Sequence, residues 1–239
     1  TGKELRPPFD LGFGPQLWDI TYSPDGNRIA SACSDGKVRI WDLTTGEQVV
    51  WAGEPTPNVI RRLVYSPDGK WLAIPSARGK VNLFDTKTGQ PTYLEGHQDL
   101  ALGVAFSPDS LHLATGSFDG SVRIWEVATG RTVSILKGHE GMVWAVAFSP
   151  DGNQLASSSN EPNVKLWDWQ TGAELRTIRC HGGTVHDVAF SPDGNQIATG
   201  SHDLTIKFWD LKDNLEARIL SGHAGAVNGV SFHPLGRIL

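Results

Sequence analysis

Short apolar runs alternate with polar turns along the whole chain, and they recur in the same order. In residues 143–182 an Ala- and Val-rich run covers 143–148, and further apolar stretches follow at 155–159, 164–167 and 175–178. The third stretch alternates apolar and polar residues, which predicts a strand, and no window keeps the 3.6-residue period of a helix. Each such unit is therefore predicted to be an antiparallel meander of four strands.

Three sequence markers repeat with this unit. Ser23-Pro24-Asp25-Gly26 recurs in the same or related form from residues 66, 107, 149, 191 and 233. An aromatic residue followed by Asp or Glu recurs at Trp41, Phe84, Trp125, Trp167 and Trp209, and Thr-Gly pairs follow at 45, 88, 129 and 171. Steps of 41 to 43 residues between the Pro-containing turns predict an array of one supersecondary unit.

The strands are apolar on both faces, so each meander needs a neighbour on either side. In one first strand Val146 and Phe148 face one way, and Ala145 and Ala147 face the other. Radial packing of meanders buries both faces and protects the sheet edges. We therefore predict an all-β fold, a β-propeller of four-stranded antiparallel blades with five complete blades and a partial sixth. The predicted blade cores, within one domain over residues 1–239, are 15–52, 57–95, 99–137, 141–179 and 183–221.

The two ends of the sequence fall at different points of the repeat. Residues 225–239 are predicted to form a partial blade with residues 1–10 as an outer strand, because 1–5 align with 171–175 and Leu239 aligns with Leu155. We expect the chain to be truncated at both ends, covalently linked to further sequence, and cut from a ring of six or seven blades.

Composition narrows the classes of function. The 239 residues carry a formal charge of −5, which gives no general attraction to nucleic acid or to anionic membranes. Blade two concentrates basic residues, which we interpret as a solvated edge: Arg61, Arg62, Lys70, Arg78 and Lys80. No apolar run approaches the ~18 residues of a membrane span, and no secretory signal is expected. The sequence has two cysteines, Cys33 and Cys180, too few for a disulfide framework or a zinc site. This low number favours a reducing, cytoplasmic location. Cys180 is expected to be partly exposed.

Gly96-His97, Gly138-His139 and Gly222-His223 precede apolar strands, and the aromatic-acidic pairs close the units. With these motifs in phase, the whole chain resembles the WD40-repeat propellers, with the regular spacing of bacterial arrays. The resemblance implies that a His, a Ser or Thr, an Asp and a Trp form a hydrogen-bonded chain in each blade. Two sets match in full: His97, Thr115, Asp119 and Trp125, and His181, Thr199, Asp203 and Trp209.

The other blades depart from this pattern. Blade four has His139, Ser157 and Trp167, with Glu161 where Asp is expected. Blade one has Ser31, Asp35 and Trp41 but Phe13 in place of the His, and blade two matches at none of Thr56, Ile74, Arg78 and Phe84. Blade two is therefore predicted to be the weakest.

A hydrolase interpretation of these His, Thr and Asp residues fails because a catalytic triad is a single site, whereas this constellation repeats around the ring. The Thr lies inside a strand, without a nucleophile elbow, and no Gly-rich phosphate loop is present. His186 and His202 lie in the same blade and could together bind a metal, but a structural zinc usually takes four ligands, so an exposed polar rim is favoured. The sequence predicts no enzyme, no cofactor, no metal and no catalytic residue.

The resemblance implies that partners bind at one end of the ring, here called the top face. The top face is formed by the residues at the start of each blade's first strand and by the turns between the second and third strands. Large apolar and interface-prone side chains hold these positions: Trp18, Arg61, Leu100, Leu102, Phe118, Met142, Trp144, His186, His202 and Asn228. The sequence therefore predicts a non-catalytic scaffold that binds a protein or peptide. The alternative is a regulatory or sensor domain of a larger signalling protein with a kinase or nucleotide-switch ATPase, and a propeller enzyme ranks third.

Overall fold

The structure is a computed structural model, and it describes residues 17–35, 37–51, 62–213 and 215–233. Five four-stranded antiparallel sheets are arranged as a five-bladed β-propeller, and the strands of each sheet pair in chain order. This confirms the predicted all-β class and the five complete blades. A single short 3₁₀ turn, Ala77–Gly79, is the helical element of the described residues.

The first two blades contain strands β1 to β8. Blade one has β1 (Leu17–Tyr22), β2 (Arg28–Cys33), β3 (Val38–Asp42) and β4 (Gln48–Trp51). Blade two has β5 (Val64–Tyr65), β6 (Trp71–Pro75), β7 (Lys80–Asp85) and β8 (Pro91–Glu95). Its first strand is only two residues long, and its second and third strands are joined by the 3₁₀ turn.

Blades three to five are more regular. Blade three has β9 (Ala101–Phe106), β10 (His112–Ser117), β11 (Ser121–Glu126) and β12 (Thr132–Lys137). Blade four has β13 (Val143–Phe148), β14 (Gln154–Ser159), β15 (Asn163–Asp168) and β16 (Ala173–Arg179). Blade five has β17 (Val185–Phe190), β18 (Gln196–Ser201), β19 (Ile206–Asp210) and β20 (Leu215–Leu220). The strands of blade four agree with the sequence prediction to within two residues.

The Ser-Pro-Asp-Gly turns join the first and second strands of the blades. In blade two the Ser66 hydroxyl donates to the Asp68 carboxylate at 2.6 Å, and the Trp71 amide donates to Ser66 Oγ at 2.9 Å. Gly69 closes the turn with φ of +72°, a conformation that costs glycine little. Its α-carbon faces Pro24 of the preceding blade, so the turns of neighbouring blades also pack on one another.

The hydrophobic core is divided among the gaps between blades. Ala30 and Ile40 of blade one pack with Leu72 and Ile74 of blade two, and three further clusters join blades two to three, three to four and four to five. Because each cluster draws on two neighbouring sheets, no blade could bury its apolar faces alone. This is the packing that the two-sided apolar pattern predicts.

Residues 221–233 follow the edge of blade five. The Val227 amide donates to the Ser201 carbonyl at 2.9 Å, and Phe232 lies 5.9 Å from Phe208, ring centre to ring centre. This packing agrees with an inner strand of a further blade, but the described part of this segment contains one isolated bridge rather than a strand. The predicted outer strand at residues 1–10 lies outside the described residues.

Two smaller predictions can be compared with the structure. Cys180 is 2% exposed, so the expectation of partial exposure is wrong; it packs in the core between blades four and five, where Ile178 and Val185 surround it. The described residues contain no helix that is long and apolar enough to cross a membrane.

Candidate functional site

The hydrogen-bonded set of blade three is complete. His97 Nδ1 lies 3.0 Å from the Asp119 carboxylate, and His97 Nε2 lies 2.8 Å from the Thr115 hydroxyl, which accepts a bond from Trp125 Nε1 at 2.8 Å. The network is consistent with a neutral imidazole that donates through Nδ1 and accepts through Nε2. Burial lowers the pKa of His97, which keeps this form at neutral pH. The set connects the start of the blade to its second and third strands.

Asp119 holds the end of this network. Burial alone would raise its pKa, but hydrogen bonds from Ser121 and from the Gln98 amide, together with the nearby His97, lower the pKa of Asp119 to about 2. The carboxylate is therefore ionised at neutral pH and ties the loop before β9 to the turn before β11.

The set of blade five is incomplete at its last member. His181 contacts Asp203 at 2.9 Å and Thr199 at 2.7 Å, as predicted. Trp209 Nε1, however, is buried and has no hydrogen-bond partner among the described residues. The Thr199 hydroxyl contacts the Lys207 carbonyl at 3.3 Å instead, so Trp209 contributes packing rather than the predicted hydrogen bond.

Blade four forms the same series of hydrogen bonds, except that its acidic residue lies farther from the His. His139 Nε2 lies 2.7 Å from Ser157 Oγ, which accepts from Trp167 Nε1 at 2.8 Å. Glu161 lies 3.6 Å from His139 Nδ1, beyond hydrogen-bond distance, because its longer side chain turns to the amides of Glu140 and Gly141. Burial lowers the pKa of His139, against the opposing effect of the Glu161 carboxylate.

In blades one and two, other contacts are seen at some of the corresponding positions. Asp35 forms a two-pronged ion pair with Arg39 at 2.6 and 3.1 Å. In blade two Ile74 is buried in the core, and Arg78 adopts a positive φ of 62° in the 3₁₀ turn. Phe13 and Thr56 lie outside the described residues, and the predicted weakness of blade two stays a prediction.

A β-bulge explains how four of the candidate partner-binding residues are presented. The pairing of the first and second strands skips one residue at the same position in four blades. The skipped residues are Trp18, Leu102, Trp144 and His186. A bulge bends the strand and redirects a side chain, so these residues leave the alternation of their strands. The sequence contained the recurrent position but not the bulge.

Aromatic and imidazole rings form a continuous row on the top face, which we call the aromatic arc (Phe118, Trp144, His186 and His202). Ring centres are 5.4 Å apart for Phe118 and Trp144, 5.2 Å for Trp144 and His186, and 5.9 Å for His186 and His202. The first two pairs meet edge to face, which is a favourable geometry for aromatic rings. The arc runs from blade three to blade five and unites four residues singled out from the sequence.

The electrostatics of the arc are set by its surroundings. Burial, then the neighbouring His202 and Arg62, lower the pKa of His186, so its imidazole is neutral at neutral pH. Trp144 Nε1 is buried and has no hydrogen-bond partner among the described residues. Phe118, Trp144 and the neutral His186 imidazole therefore form an uncharged, mainly apolar part of the arc at neutral pH.

The remaining candidate partner-binding residues differ in how exposed they are. Trp18 is 42% exposed, Met142 and Asn228 are exposed, and Leu100 is half-buried. Leu102 is only 4% exposed, so its prediction as a surface contact is wrong. Although it occupies the bulge, it is covered by its surroundings. Arg61 lies outside the described residues.

An ion pair that sequence reasoning missed joins blades separated by two others. Arg62, just before β5, donates to Asp187 of β17 at 2.9 Å. Asp187 also accepts the Val230 amide at 2.9 Å, and in blade one Asp19 accepts the Leu63 amide at the same distance. Burial raises the pKa of Asp19. Both aspartates directly follow a bulge residue, so in blades one and five the side chain after the bulge links the blade to the segment that follows it.

No metal-binding arrangement is found in the parts of the chain that the structure describes, since no three His, Cys, Asp or Glu side chains come together there. Thr115 and Thr199 are fully buried, so the hydroxyls of the His-Thr-Asp sets have no access to a substrate. The sets therefore act as structural connections between strands.

Comparison with known proteins agrees with this architecture. The WD40 family, described as WD domain, G-beta repeat, matches residues 12–42, 89–126, 130–168, 172–210 and 215–239. Ribosome biogenesis protein ERB1 of Debaryomyces hansenii is 57% identical over 42 residues, which cover 18% of this chain and 5% of that protein.

WD repeat-containing protein 1 of Mus musculus is 30% identical over 115 residues, which cover 48% of this chain and 12% of that protein. The protein of the same name from Bos taurus is 29% identical over 133 residues, which cover 54% of this chain and 16% of that protein. The matches therefore span only a small part of these relatives. Since the family match extends over most of the sequence and the blades are those of a propeller, the chain belongs to the WD40 repeat family.

Proposed function

We propose that this propeller is a non-catalytic, cytoplasmic scaffold that binds a protein or peptide partner through its top face. The observation that carries the proposal is the aromatic arc, which brings Phe118, Trp144, His186 and His202 into one surface. Aromatic side chains are enriched at protein interfaces and dominate their energetics.

The bulge position varies in chemistry from blade to blade, whereas the residue before it is the same buried valine in blades four and five. The residues before Trp144 and His186 are Val143 and Val185, both fully buried, whereas the bulge itself holds Trp, Leu or His. A packing position would hold a consistent apolar type in a repeat with constant geometry. The variation supports a role in recognising a partner.

The blades hold this surface rigid. Phe118 directly precedes Asp119, whose carboxylate accepts the Gln98 and Ser121 amides, so the turn that carries Phe118 is fixed. A surface fixed before binding loses little conformational entropy when a partner docks. The similarity to relatives named for ribosome biogenesis is in keeping with a role in assembling complexes.

The test is selection of binding peptides from a displayed random library, followed by calorimetry on substituted proteins. We expect Trp144→Ala and His186→Ala each to weaken the selected peptides at least tenfold, about 1.4 kcal/mol. Tyr93→Ala is the matched control, because Tyr93 is an exposed aromatic residue on the outer strand β8. Peptides that lose affinity with Tyr93→Ala and not with Trp144→Ala would refute the assignment of the top face.

A further inference from the structure

In four blades a basic side chain occupies the same position of the third strand: Arg39, Arg123, Lys165 and Lys207. Three of these cations form ion pairs within their own blades at 2.6–2.8 Å: Arg39 with Asp35, Lys165 with Glu174, and Lys207 with Glu216. Arg123 of blade three makes neither an ion pair nor a hydrogen bond with any residue that the structure describes, and its buried Nε atom has no partner there. Blade three therefore differs from the other three blades in leaving this cation unpaired among the described residues.

The two acidic positions that serve the other blades are not available to Arg123. Asp119 is the counterpart of Asp35, but its carboxylate is taken up by the hydrogen bonds of the blade-three set. Thr132 occupies, in the register of the sheet, the position that Glu174 has in blade four. The sequence of blade three thus keeps the cation and lacks the carboxylate that would neutralise it.

Neighbouring groups hold the Arg123 guanidinium in place. Its central carbon lies 5.9 Å from the centre of the Trp125 ring, within the range of a cation–π contact. Its Nη1 atom packs against Gly96 so closely that a β-carbon there would lie 2.9 Å away. Because Nε is buried while the residue as a whole is partly exposed, the terminal nitrogens form the accessible edge. A guanidinium that is fixed and partly desolvated binds an acceptor more strongly than one that is free in water.

The outer strand β12 adds apolar and basic groups beside Arg123. Ile135 is the register partner of Arg123 and is 42% exposed, and Val133 of the same strand is 50% exposed. Lys137 at the end of β12 is also exposed, and the strand carries no acidic residue. Two cations therefore flank exposed apolar side chains on this part of the blade. We call Arg123, Val133, Ile135 and Lys137 the blade-three surface.

We propose that the blade-three surface binds an acidic segment of a protein partner, and that a carboxylate of this segment bonds to Arg123. A carboxylate matches the forked donors of a guanidinium, and the partner thereby supplies the group that Glu174 supplies within blade four. Apolar side chains of the segment cover the two exposed apolar residues of β12, and Lys137 attracts a second acidic residue. Glu95, which precedes Gly96, does not compete for Arg123 because it pairs with Lys80 at 2.7 Å.

The test is fluorescence anisotropy of the full chain with labelled peptides of one length in which Leu alternates with Glu, with Gln or with Lys. We expect the Leu-Glu peptide to bind more tightly than the other two by roughly tenfold, and to lose a similar factor in Arg123→Gln. Lys165→Gln is the matched control, because it removes the same charge from a cation that already pairs with Glu174; it should leave the affinity unchanged. Absence of binding, equal binding of the Leu-Gln peptide, or equal losses in the two variants would overturn the proposal.

Thr132→Glu tests the same inference by placing the missing carboxylate within the blade. The new side chain is expected to pair with Arg123 as Glu174 pairs with Lys165, and so to compete with the Leu-Glu peptide and to raise the midpoint of thermal unfolding. Undiminished binding of the peptide would contradict the proposal. A lower midpoint would show that a carboxylate does not fit beside Arg123, which would also overturn it.

Sedimentation of the protein alone separates a partner from a second copy of this chain. We expect the protein to remain monomeric at the concentrations used for the peptides, and self-association that Arg123→Gln abolishes would assign the blade-three surface to a second copy instead. The blade-three surface shares no residue with the aromatic arc. The top face is tested by Trp144→Ala and this surface by Arg123→Gln, so the two proposals fail independently.

Discussion

Asp119 is the residue whose removal tests the structural role of the hydrogen-bonded sets most directly. Its carboxylate accepts four bonds: His97 Nδ1 at 3.0 Å, the Gln98 amide at 2.9 Å, and the Ser121 amide and hydroxyl at 2.9 and 2.6 Å. Asp119→Ala removes all four. Gln98 is exposed, so its amide can bind water instead. The His97 side chain is fully buried, and its Nδ1 atom keeps only a 3.3 Å contact to Ser121.

The expected cost follows from these contacts. A buried donor without its partner costs about 1–3 kcal/mol, and water replaces the exposed bond, so we expect the free energy of unfolding to fall by about 2 kcal/mol. For a chain of this size this corresponds to a midpoint lower by roughly 4–8 °C. Urea unfolding and calorimetry measure both values. Asp99→Ala is the control, since Asp99 is an exposed carboxylate in the same blade whose side chain accepts a single hydrogen bond among the described residues, from its neighbour Leu100.

The pH dependence gives a second readout. The pKa of Asp119 is lowered from 3.8 to about 2 in the folded protein, so the unfolded state binds this proton more tightly. Its contribution is therefore complete above about pH 4 and is lost as the pH falls toward 2. The stability difference between wild type and Asp119→Ala should narrow over that interval. Equal unfolding midpoints at neutral pH, or a loss no larger than that of Asp99→Ala, would refute the structural role of the set.

Two further substitutions test particular contacts. Glu161→Asp replaces the carboxylate that lies 3.6 Å from His139 with the residue type that lies 2.9–3.0 Å from its His in blades three and five. We expect the free energy of unfolding in urea to rise by about 0.5–1 kcal/mol, and a fall would show that the bonds to the Glu140 and Gly141 amides matter more. Asp187→Asn keeps an acceptor for the Val230 amide but removes the charge that pairs with Arg62. We expect the free energy of unfolding to fall by about 1 kcal/mol and by less in an Arg62→Gln background, and equal losses in both backgrounds would argue against the ion pair.

The sequence predicts which repeat positions form the candidate site, but it does not predict how exposed the side chains at those positions are. Trp18, Leu102, Trp144 and His186 share one place in the repeat, and the structure places each of them at the same bulge. Their exposure differs, from 4% for Leu102 to 42% for Trp18, because burial depends on the side chains that neighbouring blades bring above each bulge. A repeat position carries no information about those neighbours.

The sequence by itself determined the strands, the turns and the need for neighbouring blades. It also determined most of the His-Ser/Thr-Asp connections, since all of these depend on spacing within one repeat of about 42 residues. Only the tertiary structure decided which rings meet in the aromatic arc, that Trp209 Nε1 has no hydrogen-bond partner among the described residues, and that Arg62 pairs with Asp187. That last pair is separated by 125 positions. The physical reason is that these contacts arise where the curved arrangement of blades brings distant repeats together, and that curvature is set by packing between sheets rather than by the pattern within any one of them.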